Sequence, residues 1–163
     1  MLKILVVEDE DIIRKGLVYT IDWISMGYVV VGEAPNGEEG LNLIRETHPD
    51  VVIADIKMPK MDGITMLREA LKEVTFKSLI LTSYAEFDYA QKAISLQVSD
   101  YILKPVDEEK LMETMRKLHD EIMKGRGKEF AIESKGSSLD VEYYITINGF
   151  AVEEEDLIAI MNS

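Results

Sequence analysis

Short apolar runs alternate along this chain with stretches whose apolar positions recur at helical spacing. The first run is Ile4-Leu5-Val6-Val7. From Asp11 onward, Ile13, Gly16, Leu17, Thr20 and Ile21 fall on one face at helix period. Tyr28 to Val31 is a second, β-branched run. Gly37 to Thr47 reads as a helix bearing Leu41 and Ile44, closed by Pro49. Val51 to Ala54 is apolar on both faces, which suits a parallel strand covered on both sides. Met58-Pro59 and Asp62-Gly63 mark a loop and turn before a helix around Ile64 to Glu73. Ser78 to Leu81 is a fourth strand, Phe87 to Leu96 a fourth helix and Tyr101 to Leu103 a fifth strand. Glu108 to Lys124 is a fifth helix with Leu111, Met115, Leu118 and Ile122 as its stripe. Repeated strand-then-helix units predict a doubly wound α/β domain with right-handed crossovers.

The pattern changes at Gly125-Arg126-Gly127. Phe130 to Glu133, a turn at Ser134 to Ser138, and Leu139 to Ile147 read as a β-hairpin, and Asn148-Gly149 is a further turn signal. Glu153 to Asp156 then opens an amphipathic helix with Leu157, Ile158, Ile160 and Met161; acids in the first turn suit the positive end of its dipole. The expected division is a domain over 1–124 and an acidic, β-rich extension over 125–163, read as the start of a truncated second domain.

With 163 residues and 47% hydrophobic content, the chain can bury one core of ordinary size. It has no cysteine, so neither a disulfide framework nor a thiolate metal site is available. No apolar stretch approaches the roughly 20 residues of a membrane span, and the opening run is a strand ending in acids, not a signal peptide. A cytoplasmic protein without membrane attachment is expected. The formal net charge of −13 is the wrong sign for a module that binds nucleic acid by itself.

Ligands of an open parallel sheet bind beyond the carboxyl ends of its strands. Four of the runs end there in polar residues: Glu8-Asp9, Asp55, Thr82 and Lys104. Any one of the acids alone would pass for a solvated loop residue. Three carboxylates in one crevice repel unless a cation lies among them. A hard divalent ion with oxygen ligands answers this, Mg²⁺ first and Mn²⁺ second. Asp55 is the best nucleophile, since a carboxylate can take a phosphoryl group as an aspartyl-phosphate. Lys104 would supply fixed positive charge, and the adjoining Pro105 offers a cis peptide that aims it. The Thr82 hydroxyl would donate to a phosphoryl oxygen, although a plain β-branched strand residue looks the same.

These motifs resemble a known family. Leu5-Val6-Val7-Glu8-Asp9, Asp55-Ile56-Lys57-Met58-Pro59-Lys60-Met61-Asp62-Gly63, Leu81-Thr82-Ser83-Tyr84 and Asp100-Tyr101-Ile102-Leu103-Lys104-Pro105 are similar, in order and spacing, to the receiver domain of bacterial two-component response regulators. Ser83 to Ala90 further resembles the receivers of AraC-type, YesN-like regulators. The resemblance covers residues 1 to about 123. It implies a flavodoxin-like receiver with strand order 2-1-3-4-5, phosphorylated on Asp55 by a sensor histidine kinase. It implies Mg²⁺ on Glu8, Asp9, Asp55 and the Lys57 carbonyl, and phosphoryl oxygens on Thr82 and Lys104. Tyr101 would be the switch aromatic, turning inward with Thr82. Lys57 and Tyr84 would tune loss of the phosphoryl group. The family pattern often has Asp where this chain has Glu8, which leaves an oxygen ligand on a longer arm. The protein would catalyse only its own phosphorylation and dephosphorylation.

Fold alone does not exclude other chemistry. A flavin carrier wants a Ser/Thr/Gly-rich loop after strand one, where this chain has Glu8-Asp9-Glu10-Asp11. A haloacid-dehalogenase-type phosphatase wants an acid two residues past the nucleophile, where this chain has Lys57. The surface of the fourth helix, fifth strand and fifth helix carries Lys92, Asp100, Glu108, Lys110 and Arg116, mixed charges that suit a phosphorylation-dependent homodimer. Expected output is transcription through a DNA-binding domain absent from this chain; the alternative is a stand-alone receiver acting by protein contact.

Overall fold

A computed structural model of the chain describes residues 1–83, 98–136, 145–147 and 150–152. The chain divides into two units, Met1–Arg116 and Lys117–Ser163. In the first, β1 (Leu2–Val7), β2 (Tyr28–Ala34), β3 (Val51–Asp55), β4 (Lys77–Thr82) and β5 (Asp100–Leu103) form one sheet. Its order is β2-β1-β3-β4-β5, parallel throughout. This is the flavodoxin-like arrangement, and the strand order reverses between β1 and β3.

All five residues of β3 are buried, as its unbroken apolar run requires of a central strand. One sheet face presents Leu5, Val7, Val52, Ala54 and Ile80 to Leu41 and Ile44 of α2 (Gly37–Thr47) and to Ile64, Met66 and Leu67 of α3 (Gly63–Ala70). Alternation along the strands turns Ile4, Val6, Ile53, Leu79 and Leu81 to the other face. There α1 (Asp11–Tyr19) packs on β1 and β2. The buried Tyr28 hydroxyl of β2 donates to the Met115 carbonyl of α4 (Glu108–Gly136) at 2.6 Å.

Caps fix the helix starts that border the site. The Asn36 side chain accepts from the Glu39 amide at 2.9 Å, and the Asn36 amide group donates to the Glu39 carboxylate at 3.0 Å. The Asp62 carboxylate accepts from the Thr65 amide at 2.7 Å. Each reciprocal or single cap satisfies donors that a helix start leaves open.

Two expectations need correction. β2 runs on past Val31 to Ala34, because Leu5, Val6 and Val7 continue to pair with Gly32, Glu33 and Ala34 after a register shift. The segment expected to leave the helix at Gly125 and form a strand at Phe130 to Glu133 is instead helical, α4 continuing to Gly136. A glycine inside a helix costs only about 1 kcal/mol, and a short apolar run does not fix strand against helix. The second unit does contain a hairpin, β6 (Ile145–Ile147) against β7 (Phe150–Val152), antiparallel, with Ile147 opposite Phe150. It flanks the Asn148-Gly149 turn signal. The helix expected over Phe87 to Leu96 and the one from Glu153 lie outside the described residues. Among the described residues, no helix is long and apolar enough to cross a membrane.

Candidate functional site

The parallel sheet delivers its strand ends to one edge. Glu8 and Asp9 follow β1, Asp55 ends β3, Thr82 ends β4, and Lys104 follows β5. Carboxylate oxygens of Glu8, Asp9 and Asp55 all lie within 4.8 Å of one another. Glu8 is fully buried, Asp55 nearly so and Asp9 half-buried. The Lys104 ammonium donates to Glu8 Oε1 at 2.8 Å and to Asp55 Oδ2 at 2.9 Å. A third acid, Glu10, which the sequence reading left aside, stands 3.9 Å from the same ammonium. The other Asp55 oxygen accepts from the Ile56 amide at 2.7 Å.

The charges do not balance. With all three clustered acids ionised, three negative charges meet one lysine, leaving two uncompensated, the charge of one divalent cation. Without a metal the pocket relieves this by holding a proton. Burial, then the adjacent Asp55 carboxylate, push the Glu8 carboxyl up to about 8, against the pull of Lys104. Burial and Asp55 raise Asp9 as well. Burial disfavours the Lys104 ammonium, yet its bonds to Glu8 and Asp55 overcome this and hold it above the usual lysine range. Glu8 Oε2 is buried with no hydrogen-bond partner among the described residues. As an ionised acceptor such an atom costs roughly 1–3 kcal/mol, which the proton favoured by burial and Asp55, or a cation ligated there, would remove. The oxygen-only donor set fits a hard divalent ion.

The remaining expected residues fall at different distances from this cluster. Thr82 is fully buried, its backbone opposite Leu103, and the Lys104 amide donates to its carbonyl at 2.7 Å. Its hydroxyl donates to the Ser83 carbonyl at 3.2 Å, so in this conformation it is turned to its neighbour. Lys57 is exposed. Tyr101 is half-buried against the core that α2 and α3 cover, its phenol raised by burial and by the Asp100 charge. The Lys104–Pro105 peptide is cis. Tyr84 and Lys92 lie outside the described residues; Asp100 is half-buried, and Glu108, Lys110 and Arg116 are exposed.

The loop after Asp55 is pinned by glycines. The Gly63 amide donates to the Ile56 carbonyl at 2.7 Å, and the Gly37 amide to the Met61 carbonyl at 3.0 Å. A Cβ on Gly37 would come within 2.2 Å of that Met61 oxygen. Asp62-Gly63 was read from the sequence as a turn; its close approach to the Asp55 backbone was not. Arg14 was missed too. It is a buried cation one turn into α1 that donates to the Glu8 carbonyl at 2.8 Å. The available signal was an arginine three residues after Asp11, a spacing that pairs side chains on a helix.

The sequence profile of the response regulator receiver domain matches residues 4–116. The chain belongs to that family. An uncharacterized response regulatory protein of Staphylococcus epidermidis is 40% identical to this receiver over 111 residues, 68% of this chain and 44% of that protein. The uncharacterized transcriptional regulatory protein YesN of Bacillus subtilis is 34% identical over 119 residues, 72% of this chain and 32% of YesN. Among solved structures, the REC domain of AraT, a response regulator from Geobacillus stearothermophilus, is 41% identical. It superposes with a TM-score of 0.73, covering 76% of this chain and 97% of that one. The receiver thus spans less than half the length of these two curated relatives.

Proposed function

We propose that this receiver is the phosphoryl-accepting switch of a two-component pathway, with Asp55 as acceptor. The observation that carries this is the Lys104 ammonium bridging Glu8 and Asp55 beside a third carboxylate, at the carboxyl edge of the sheet. A phosphohistidine on a sensor histidine kinase is the donor. One Asp55 oxygen attacks phosphorus; the new O–P bond forms as the P–N bond breaks, and the departing imidazole nitrogen takes up a proton. Catalysis of such a transfer is mainly alignment and charge neutralisation. Lys104 holds positive charge at the acceptor oxygen, and Thr82, rotating off Ser83, donates to a phosphoryl oxygen. Glu8, Asp9, Asp55 and the Lys57 carbonyl would hold Mg²⁺ or Mn²⁺, which would supply the remaining positive charge.

Tyr101 follows Thr82 inward and repacks the surface that includes Asp100, Glu108, Lys110 and Arg116, favouring a homodimer. Exposed ion pairs there add only about 0–1 kcal/mol each, so packing around Tyr101 drives the switch. Lys57 and Tyr84 set the lifetime of the phosphoryl group. The receiver occupies residues 1–124, and 125–163, which begins inside the continuous helix α4, is its extension, in a cytoplasmic protein. Transcription is the output, exerted on DNA by a domain other than this one; relatives named as transcriptional regulators support this.

The test is incubation with acetyl phosphate, read by intact mass. Mass should rise by one phosphoryl group with Mg²⁺, not in EDTA and not in Asp55→Asn. Labelling that persists in Asp55→Asn would refute the assignment.

A further inference from the structure

We propose that Arg14 is a positioning residue for the acidic pocket, fixing the Glu8 backbone so that its carboxylate meets a divalent cation in one geometry. This rests on the proposed metal-binding role of Glu8, Asp9 and Asp55.

Arg14 is 8% exposed. A guanidinium so buried is costly unless its donors are used. Each of its three nitrogens goes to a different place. Nη1 donates to the Glu8 carbonyl at 2.8 Å, Nη2 to Asp11 Oδ1 at 2.5 Å, and Nε to Glu33 Oε1 at 3.2 Å. One planar fork therefore ties the loop after β1 to α1 and to β2. On its other side, the Glu8 amide donates to the Ala34 carbonyl of β2 at 3.0 Å. Both main-chain polar groups of Glu8 are held. The longer Glu8 side chain thus springs from a fixed stem, with Oε1 on Lys104 and Oε2 buried. Groups that orient a metal ligand without touching the metal typically affect affinity about 10- to 100-fold. A lysine is a single point of charge and cannot reproduce a three-way fork.

Two rival accounts predict otherwise. If Arg14 acted only through its charge, it would repel a cation: Arg14→Ala would tighten Mg²⁺ binding and Arg14→Lys would leave it unchanged. If it served stability alone, both variants would unfold more readily and bind Mg²⁺ as the natural protein does.

The experiment is calorimetric titration of the full chain with Mg²⁺ alone, alongside thermal unfolding. Arg14→Lys and Arg14→Ala are expected to weaken binding by about tenfold or more. Glu33→Gln should weaken it less, and should add nothing in the Arg14→Ala background, because Glu33 acts through Arg14. Tyr28→Phe, which lowers stability from the same strand, should bind as the natural protein does. If Arg14→Ala does not fold, Arg14→Lys and Glu33→Gln carry the comparison. Unchanged or tighter Mg²⁺ binding in the Arg14 variants overturns the proposal. The underlying metal reading fails separately, and takes this one with it, if the natural protein and Asp9→Asn show equal binding or none.

Discussion

Gly63 lies directly against the backbone of Asp55: a Cβ at that position would stand 1.9 Å from the Asp55 carbonyl oxygen. The contact is with backbone, which cannot swing aside as a side chain end can. Gly63→Ala must therefore displace either the start of α3 or the end of β3. Overpacking of this kind costs about 1–3 kcal/mol. Urea unfolding should show that loss, and acetyl phosphate labelling of Asp55 should slow in the same variant.

In the proposed transfer Lys104 supplies positive charge, and it would compete with a cation for the Glu8 and Asp55 carboxylates that it bridges. Replacing it with methionine should separate the two roles. Mg²⁺ affinity should rise by roughly tenfold, since a like charge leaves the pocket, while phosphorylation of Asp55 falls. Titration calorimetry and labelling rates on Lys104→Met check this; a parallel fall in both would contradict the division.

Glu8 predicts a pH dependence with a definite sign. Its carboxyl titrates near 4.5 when unfolded and is pushed up to about 8 in the metal-free fold. Between those values the folded protein holds the extra proton, so the Glu8 share of stability is full below pH 4.5 and is lost as pH rises through 8. Metal-free unfolding midpoints should fall across that window less steeply in Glu8→Gln than in the natural protein. Mg²⁺ binding below pH 8 should release protons and should weaken as pH falls.

Tyr28 is buried and donates to the Met115 carbonyl at 2.6 Å. Tyr28→Phe removes one of the two donors to that helical carbonyl and should cost about 0.5–1.5 kcal/mol, seen as a lower unfolding midpoint with Asp55 labelling intact.

Much of this was legible in the sequence because the sheet is parallel. Its strands are buried on both faces, so they appear as unbroken apolar runs such as Val51 to Ala54, and the polar residue that ends each run is placed at the site by topology alone. β2 was read short because its β-branched run ends at Val31; only pairing with β1 keeps Gly32, Glu33 and Ala34 in the strand. The continuation of α4 through Phe130 to Glu133 was hidden because two glycines and a short apolar run imitate a break followed by a strand. That Glu8, Asp9, Asp55 and Lys104 meet in one place was legible from their positions at strand ends. Arg14 was not: its pairing with Asp11 three residues earlier could be seen in local spacing, but its bonds to the Glu8 carbonyl and to Glu33 on another strand, which tie it to the site, leave no trace there. The turned-away Thr82 hydroxyl is likewise a matter of rotamer, which no sequence pattern records.

The most direct measurement is to find where the phosphoryl group sits. The full chain is treated with acetyl phosphate and Mg²⁺, reduced with borohydride, and mapped by peptide mass spectrometry. Reduction of an acyl phosphate converts aspartate to homoserine, and the account predicts that change at Asp55 and only with Mg²⁺ present. Homoserine at another acid, or at none after efficient reduction of a control aspartyl-phosphate, would contradict it.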